Sequence, residues 1–92
     1  MNPLGFLTRN NRPVPPTPLA IEPSTSHFLT GCVAAASRQL GGLSVSVRAY
    51  EGVYVFTLDG TERLTLQSGI VYHAESVGAT FDIARMIVEA AS

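Results

Sequence analysis

Residues 43–67 read LSVSVRAYEGVYVFTLDGTERLTLQ, and this stretch decides the fold. Leu43, Val45, Val47 and Ala49 alternate with Ser44, Ser46, Arg48 and Tyr50, the period of a strand with one buried face. Val53–Leu58 is dense in β-branched and aromatic residues, which suit a pleated, half-buried surface. Asp59-Gly60 follows, a pair that tolerates the positive φ angles of a tight hairpin turn. Residues 62–67 return from it. A two-residue turn sets Leu58 against Thr61, Phe56 against Arg63 and Tyr54 against Thr65, with Val53 and Val55 opposing Leu66 and Leu64 on the other face. Keeping Val47 and Ala49 on that apolar side demands an odd loop, Glu51-Gly52-Val53. The expected outer face then carries Arg48, Tyr50, Tyr54, Phe56, Leu58, Arg63, Thr65 and Gln67.

Working outward, Ser24, Thr25 and Ser26 offer helix N-caps directly after Pro23. Leu29, Cys32, Val33, Ala36 and Leu40 then recur at helical spacing, and Gly41-Gly42 closes the helix. Beyond Ser68-Gly69, the apolar run Ile70, Val71, Tyr72 reads as a fourth strand or as the third strand continued past a bulge. A last helix is expected from near Ser76 to the C-terminus. The resulting fold class is α+β: helix, three or four antiparallel strands, helix, with both helices on one face of the sheet.

All six prolines lie in the first 23 residues, and Pro13 to Pro18 are expected to form an extended, polyproline-like strut. Its Pro13/Pro16 and Pro15/Pro18 spacing also matches what proline-binding grooves read, although a spacer has the same pattern. Leu4, Phe6 and Leu7 make an apolar tip ahead of it, read as an anchor for a neighbouring molecule. Two segments result: an extended Pro-rich arm, 1–23, and a single α+β domain, 24–92. A domain of that size seldom nets more than about 3–5 kcal/mol of stability without a staple or a partner. Cys32 is the only cysteine, so no intrachain disulfide supplies one. The lone thiol points to a reducing compartment, cytoplasmic or within an assembled particle. No signal peptide and no membrane helix are read.

The net charge is −1 and every basic residue is an arginine, scattered along the chain. Phosphate contacts from clustered Lys and Arg carry most affinity for nucleic acid, so this distribution argues against it. The helix–strands–helix order is similar to that of the double-stranded-RNA-binding domain. That family relies on a lysine-rich start to its last helix, where this chain has Val77, Gly78, Ala79, Thr80 and Phe81.

No assembled chemistry is legible. His27 and Cys32 point about 140° apart on a helix. His73 could reach the thiol only across the fold, and Cys32 lies on the buried stripe. Glu62, Glu75, Asp82 and Glu89 lack metal-loop spacing. The chain is therefore read as non-enzymatic, with no cofactor and no metal.

Two surfaces look unfinished. Arg48, Tyr50, Tyr54, Phe56 and Arg63 on the outer sheet face have the Tyr/Arg composition of interface hot spots; cross-strand pairing on an exposed face is the plainer explanation. On the last helix, Phe81, Ile83, Met86, Ile87 and Val88 belong to an apolar arc about twice the roughly 100° that packing on one sheet needs. The excess sits either in a groove between the sheet and the first helix or on another chain, and the second is expected. The leading expectation is a structural or assembly protein, such as a virion component, that self-associates and docks its arm on a neighbour. The alternatives are a phage-type inhibitor or adaptor binding a host complex through its sheet face and, below that, a nucleic-acid-binding module.

Overall fold

The computed structural model describes residues 16–92. Helix α1 (Pro23–Gln39) leads into three strands, β1 (Val45–Tyr50), β2 (Val53–Leu58) and β3 (Thr61–Gln67), and two helices follow, α2 (Ser68–Ser76) and α3 (Thr80–Ala90). The sheet is an antiparallel meander in the order β1-β2-β3. The helices pack on one of its faces, around a single apolar cluster. The α+β architecture expected from the sequence is the one found.

The register differs from the expectation at both joints. Tyr50 pairs with Val53, so Glu51-Gly52 is a two-residue turn and the three-residue loop is not formed. At the other joint, Leu58 pairs with Thr61 as anticipated, with Asp59 at φ 51° and Gly60 at φ 83°. Two rungs later the ladder slips: Thr57 pairs with Glu62 but Phe56 pairs with Leu64, which leaves Arg63 as the extra residue of a β-bulge. Side chains alternate with period two, so one extra residue exchanges the faces. Val47 and Ala49 of β1 and Leu64 and Leu66 of β3 lie on the helix side, as expected. The central strand is inverted: Tyr54, Phe56 and Leu58 are buried there, and Val53 and Val55 face outward. The inverted arrangement hides two aromatic rings and a leucine in place of two valines and a threonine. Larger apolar area removed from water favours it.

Helix α1 begins one turn earlier than the serine and threonine caps suggest. Pro23 occupies its first turn and Glu22 stands at the N-cap, where a missing N–H costs nothing because that donor has no helical partner. Thr25 is buried instead and its hydroxyl donates to Glu75 Oε1 at 2.6 Å, tying α1 to α2. Ser37 Oγ donates to the Leu43 carbonyl at 2.7 Å and fixes the crossing from α1 into β1.

Ile70, Val71 and Tyr72 are helical, so there is no fourth strand among the described residues. Helical spacing puts Val71 and Ala74 on one face, both buried, which a strand could not do three residues apart. Gly78 at φ 67° ends α2, with Ala79 N–H donating to the Ala74 carbonyl at 2.8 Å. A left-handed residue is needed to close that motif, and glycine supplies it without a Cβ clash. The turn lets α3 fold back between α1 and the β3 side of the sheet.

Phe56 is fully buried beneath the helices. Phe56→Ala is expected to cost about 3–5 kcal/mol, as much as the whole stability of a domain this small. Circular dichroism with urea titration should find Phe56→Ala unfolded and Arg48→Ala folded. A Phe56→Ala protein as stable as the parent would place the ring on the outer face.

Candidate functional site

The described residues hold no group of three or more His, Cys, Asp and Glu side chains able to bind a metal ion. Cys32 is sealed in the core, and burial pushes its thiol up to about 11, from an ordinary 9.0. His27 and His73 lie on the outside of the helices. Tyr54 is held well above the usual phenol range, first by burial and then by the hydrogen bond its hydroxyl donates to Tyr72 Oη at 3.2 Å. The two rings meet edge to face, with centroids 6.1 Å apart, so this pair joins the central strand to α2 as packing.

The sequence-derived surfaces divide between inside and outside. Tyr54 and Phe56, expected on the exposed sheet face, are core residues, 3% and 0% exposed, and cannot meet a partner. Arg48 and Arg63 remain exposed and Tyr50 half-buried. The outer face contains a depression of about 470 Å3, bordered by Pro16, Pro18, Arg48, Tyr50, Val53, Val55 and Glu62, with Arg63 not among its lining. The valines form its floor in place of the aromatic rings. Pro16 and Pro18 stand at its rim because Leu19 pairs with β1: its N–H donates to the Ala49 carbonyl at 2.8 Å. The arm anchor, Leu4, Phe6 and Leu7, lies outside the described residues.

On α3 the wide apolar arc is mostly covered within the chain. Ile83, Ala84 and Ile87 are buried between α1, α2 and the sheet, so Ile83 and Ile87 are corrected from partner contacts to core. The helix sits in the groove between the sheet and the first helix, and not chiefly on another chain as the width of its arc suggests. Val88 is half-buried. Phe81 and Met86 stay outside, about 140° apart on the helix. Asp82, Arg85 and Glu89 fill the arc between them, and Arg85 pairs with Asp82 at 2.9 Å. Phe81 therefore belongs to the start of α3, four residues after the exposed Val77 that caps α2, and not to a stripe shared with Met86. Val77 was not singled out from sequence; it carries no periodic signal because it sits in the turn between two helices.

Comparison with family models, with curated proteins and with solved structures finds no match for this chain. No helix among the described residues is long and apolar enough to cross a membrane.

The raised thiol and phenol values give stability a pH dependence. Well below pH 9 Cys32 is protonated in both states. Between about 9 and 11 only the unfolded chain releases the proton, so unfolding gains and stability falls as pH rises through that window. Tyr54 acts in the same direction. Urea midpoints measured at about pH 8 and pH 10.5 should show the loss, and Cys32→Ala should reduce it. In the folded protein the thiol should stay unreactive to a thiol reagent near pH 8. Rapid, complete labelling there would show that Cys32 is not sealed.

Proposed function

We propose that this chain is a non-enzymatic assembly protein that self-associates through its C-terminal helices, with its arm reaching onto a neighbouring copy. A subunit of a particle, such as a virion component, is the role this supports best. One observation carries the reading. Among the described residues the large apolar side chains left exposed are Leu19, Ile70, Tyr72, Val77, Phe81 and Met86, and all but Leu19 fall in or between α2 and α3. Phe81 is 71% exposed and Val77 62%. Scattered single exposures need no explanation, but the two most exposed of these, Val77 and Phe81, fall together at the junction of the two helices, which supports a partner there.

A second reading, an inhibitor or adaptor for a foreign protein, is supported by the depression on the outer sheet face. Arg48 and Tyr50 flank its valine floor, and such residues anchor hot spots. In that case Tyr50→Ala, and not Phe81→Asp, weakens binding.

Burying a phenylalanine side chain contributes about 1.5–3 kcal/mol, so its loss from a symmetric interface should weaken association at least about tenfold. Light scattering coupled to size exclusion is expected to show an oligomer for the parent protein and a smaller species for Phe81→Asp, which stays folded because its side chain is outside the core. A monomeric parent at about 100 µM, the range of weak contacts, would remove self-association.

A further inference from the structure

The outer edge of β1 is only partly used. Ser44 carbonyl accepts from Asp59 N–H at 2.8 Å on the β2 side, whereas Ala49 carbonyl accepts from Leu19 on the opposite side. Peptide groups alternate along an antiparallel strand, so Val45 and Val47 turn their N–H and C=O groups to the same open side as Ala49. The described part of the arm, from residue 16 on, does not pair with them. It pairs at Ala49, and two residues past Ile21 the chain becomes helix α1. Among the described residues no backbone partner is found for these four groups.

Beside that edge lies a cavity of about 220 Å3 between α1 and β1, walled by Ile21, Leu29, Val33 and Val47 with the hydroxyls of Thr30 and Ser46. It is smaller than a typical small-molecule pocket and suited to a side chain. An unpaired strand edge next to an apolar pocket is the arrangement by which sheets accept an added strand: main-chain hydrogen bonds hold it, and alternate side chains enter the pocket. The other sheet edge is blunted. β3 carries the bulge at Arg63 and the charges of Glu62 and Arg63, two devices that discourage pairing.

The chain itself contains a segment of the required chemistry. Residues 4–8, Leu-Gly-Phe-Leu-Thr, have no proline, and Leu4 and Phe6 are two apart, so both fall on one side of an extended strand. Residues 13–18 are unsuitable, because prolines at 13, 15, 16 and 18 remove donors from the ladder. The antiparallel pairing of Leu19 with Ala49 sends the chain, read toward its N-terminus, past the Tyr50 end of β1 and away from Val45. Reaching its own open edge requires residues 9–15 to reverse across two further prolines. A second copy can present its residues 4–8 without that constraint.

We propose that the open edge of β1 at Val45 and Val47 takes residues 4–8 of a second copy as an added strand, with Phe6 entering the Ile21/Leu29/Val33 cavity. The proposal rests on the self-association reading and names its arm contact. The test uses the full chain, parent and Phe6→Asp, in amide hydrogen exchange at several concentrations with light scattering on the same samples. In the parent, the Val45 and Val47 amides should gain at least about tenfold protection as concentration rises. In Phe6→Asp that gain should vanish and the assembly should shrink. An oligomer that persists unchanged in Phe6→Asp, with unchanged protection, overturns strand addition and leaves self-association standing. A parent that stays monomeric overturns both. Protection independent of concentration shows each arm on its own edge and overturns the exchange between copies.

Discussion

The extra residue at Arg63 sets which side of the central strand meets the helices. With the bulge, Phe56 lies opposite Leu64 and Tyr54 opposite Leu66, so the large side chains of all three strands share a face. Without it, β3 would set Arg63 and Thr65 opposite the aromatics of β2 and turn its leucines to the other face. Leu29 and Cys32 of α1, Val71 of α2 and Ile83 and Ile87 of α3 close over that face. Each helix contributes few buried side chains, and none has a second sheet to pack on. The core therefore depends on one well-matched layer of strand residues.

Helix α3 is the other consequence of that layer. It has to fit between α1 and the β3 side, which explains why its apolar arc exceeds a one-sided helix's. Ile83 and Ile87 face the sheet, and Ala84 sits buried in the crowded helix layer where no bulkier side chain is needed. The close approach of α1 to the start of α3 is visible at Gly31, where an added Cβ would meet the Thr80 methyl at 3.7 Å, an ordinary contact. Among the described residues, the exposed large apolar side chains are Leu19 and five in or between α2 and α3, and depressions lie beside β1 on both sides. Each follows from how the core was filled.

Much of this was legible in the residues. Alternation in 43–50, the Asp59-Gly60 turn, the Gly41-Gly42 stop and the amphipathic first helix all read directly. The face of β2 did not, because a bulge has no sequence signature as plain as a turn's. Two compensating errors of one residue, an assumed odd loop at Glu51 and an assumed straight ladder at Arg63, kept β1 and β3 correctly oriented while inverting the strand between them. Side-chain size held the missing clue: Tyr54, Phe56 and Leu58 outweigh Val53, Val55 and Thr57 in apolar area. Ile70-Val71-Tyr72 misled for a different reason. A short apolar run fits either period, and tertiary burial of Val71 with Ala74 chose the helix. On α3 the width of the apolar arc was visible, but whether the first helix or a second chain would cover it was a question of space that spacing along one helix cannot answer.

The pairing of β2 with β3 can be read directly by nuclear Overhauser contacts between backbone protons across the two strands. Cross-strand contacts should link Phe56 to Leu64 and Tyr54 to Leu66, with Arg63 looped out of the ladder. Contacts of Phe56 with Arg63 and of Tyr54 with Thr65 would contradict the bulge and return both rings to the outer face.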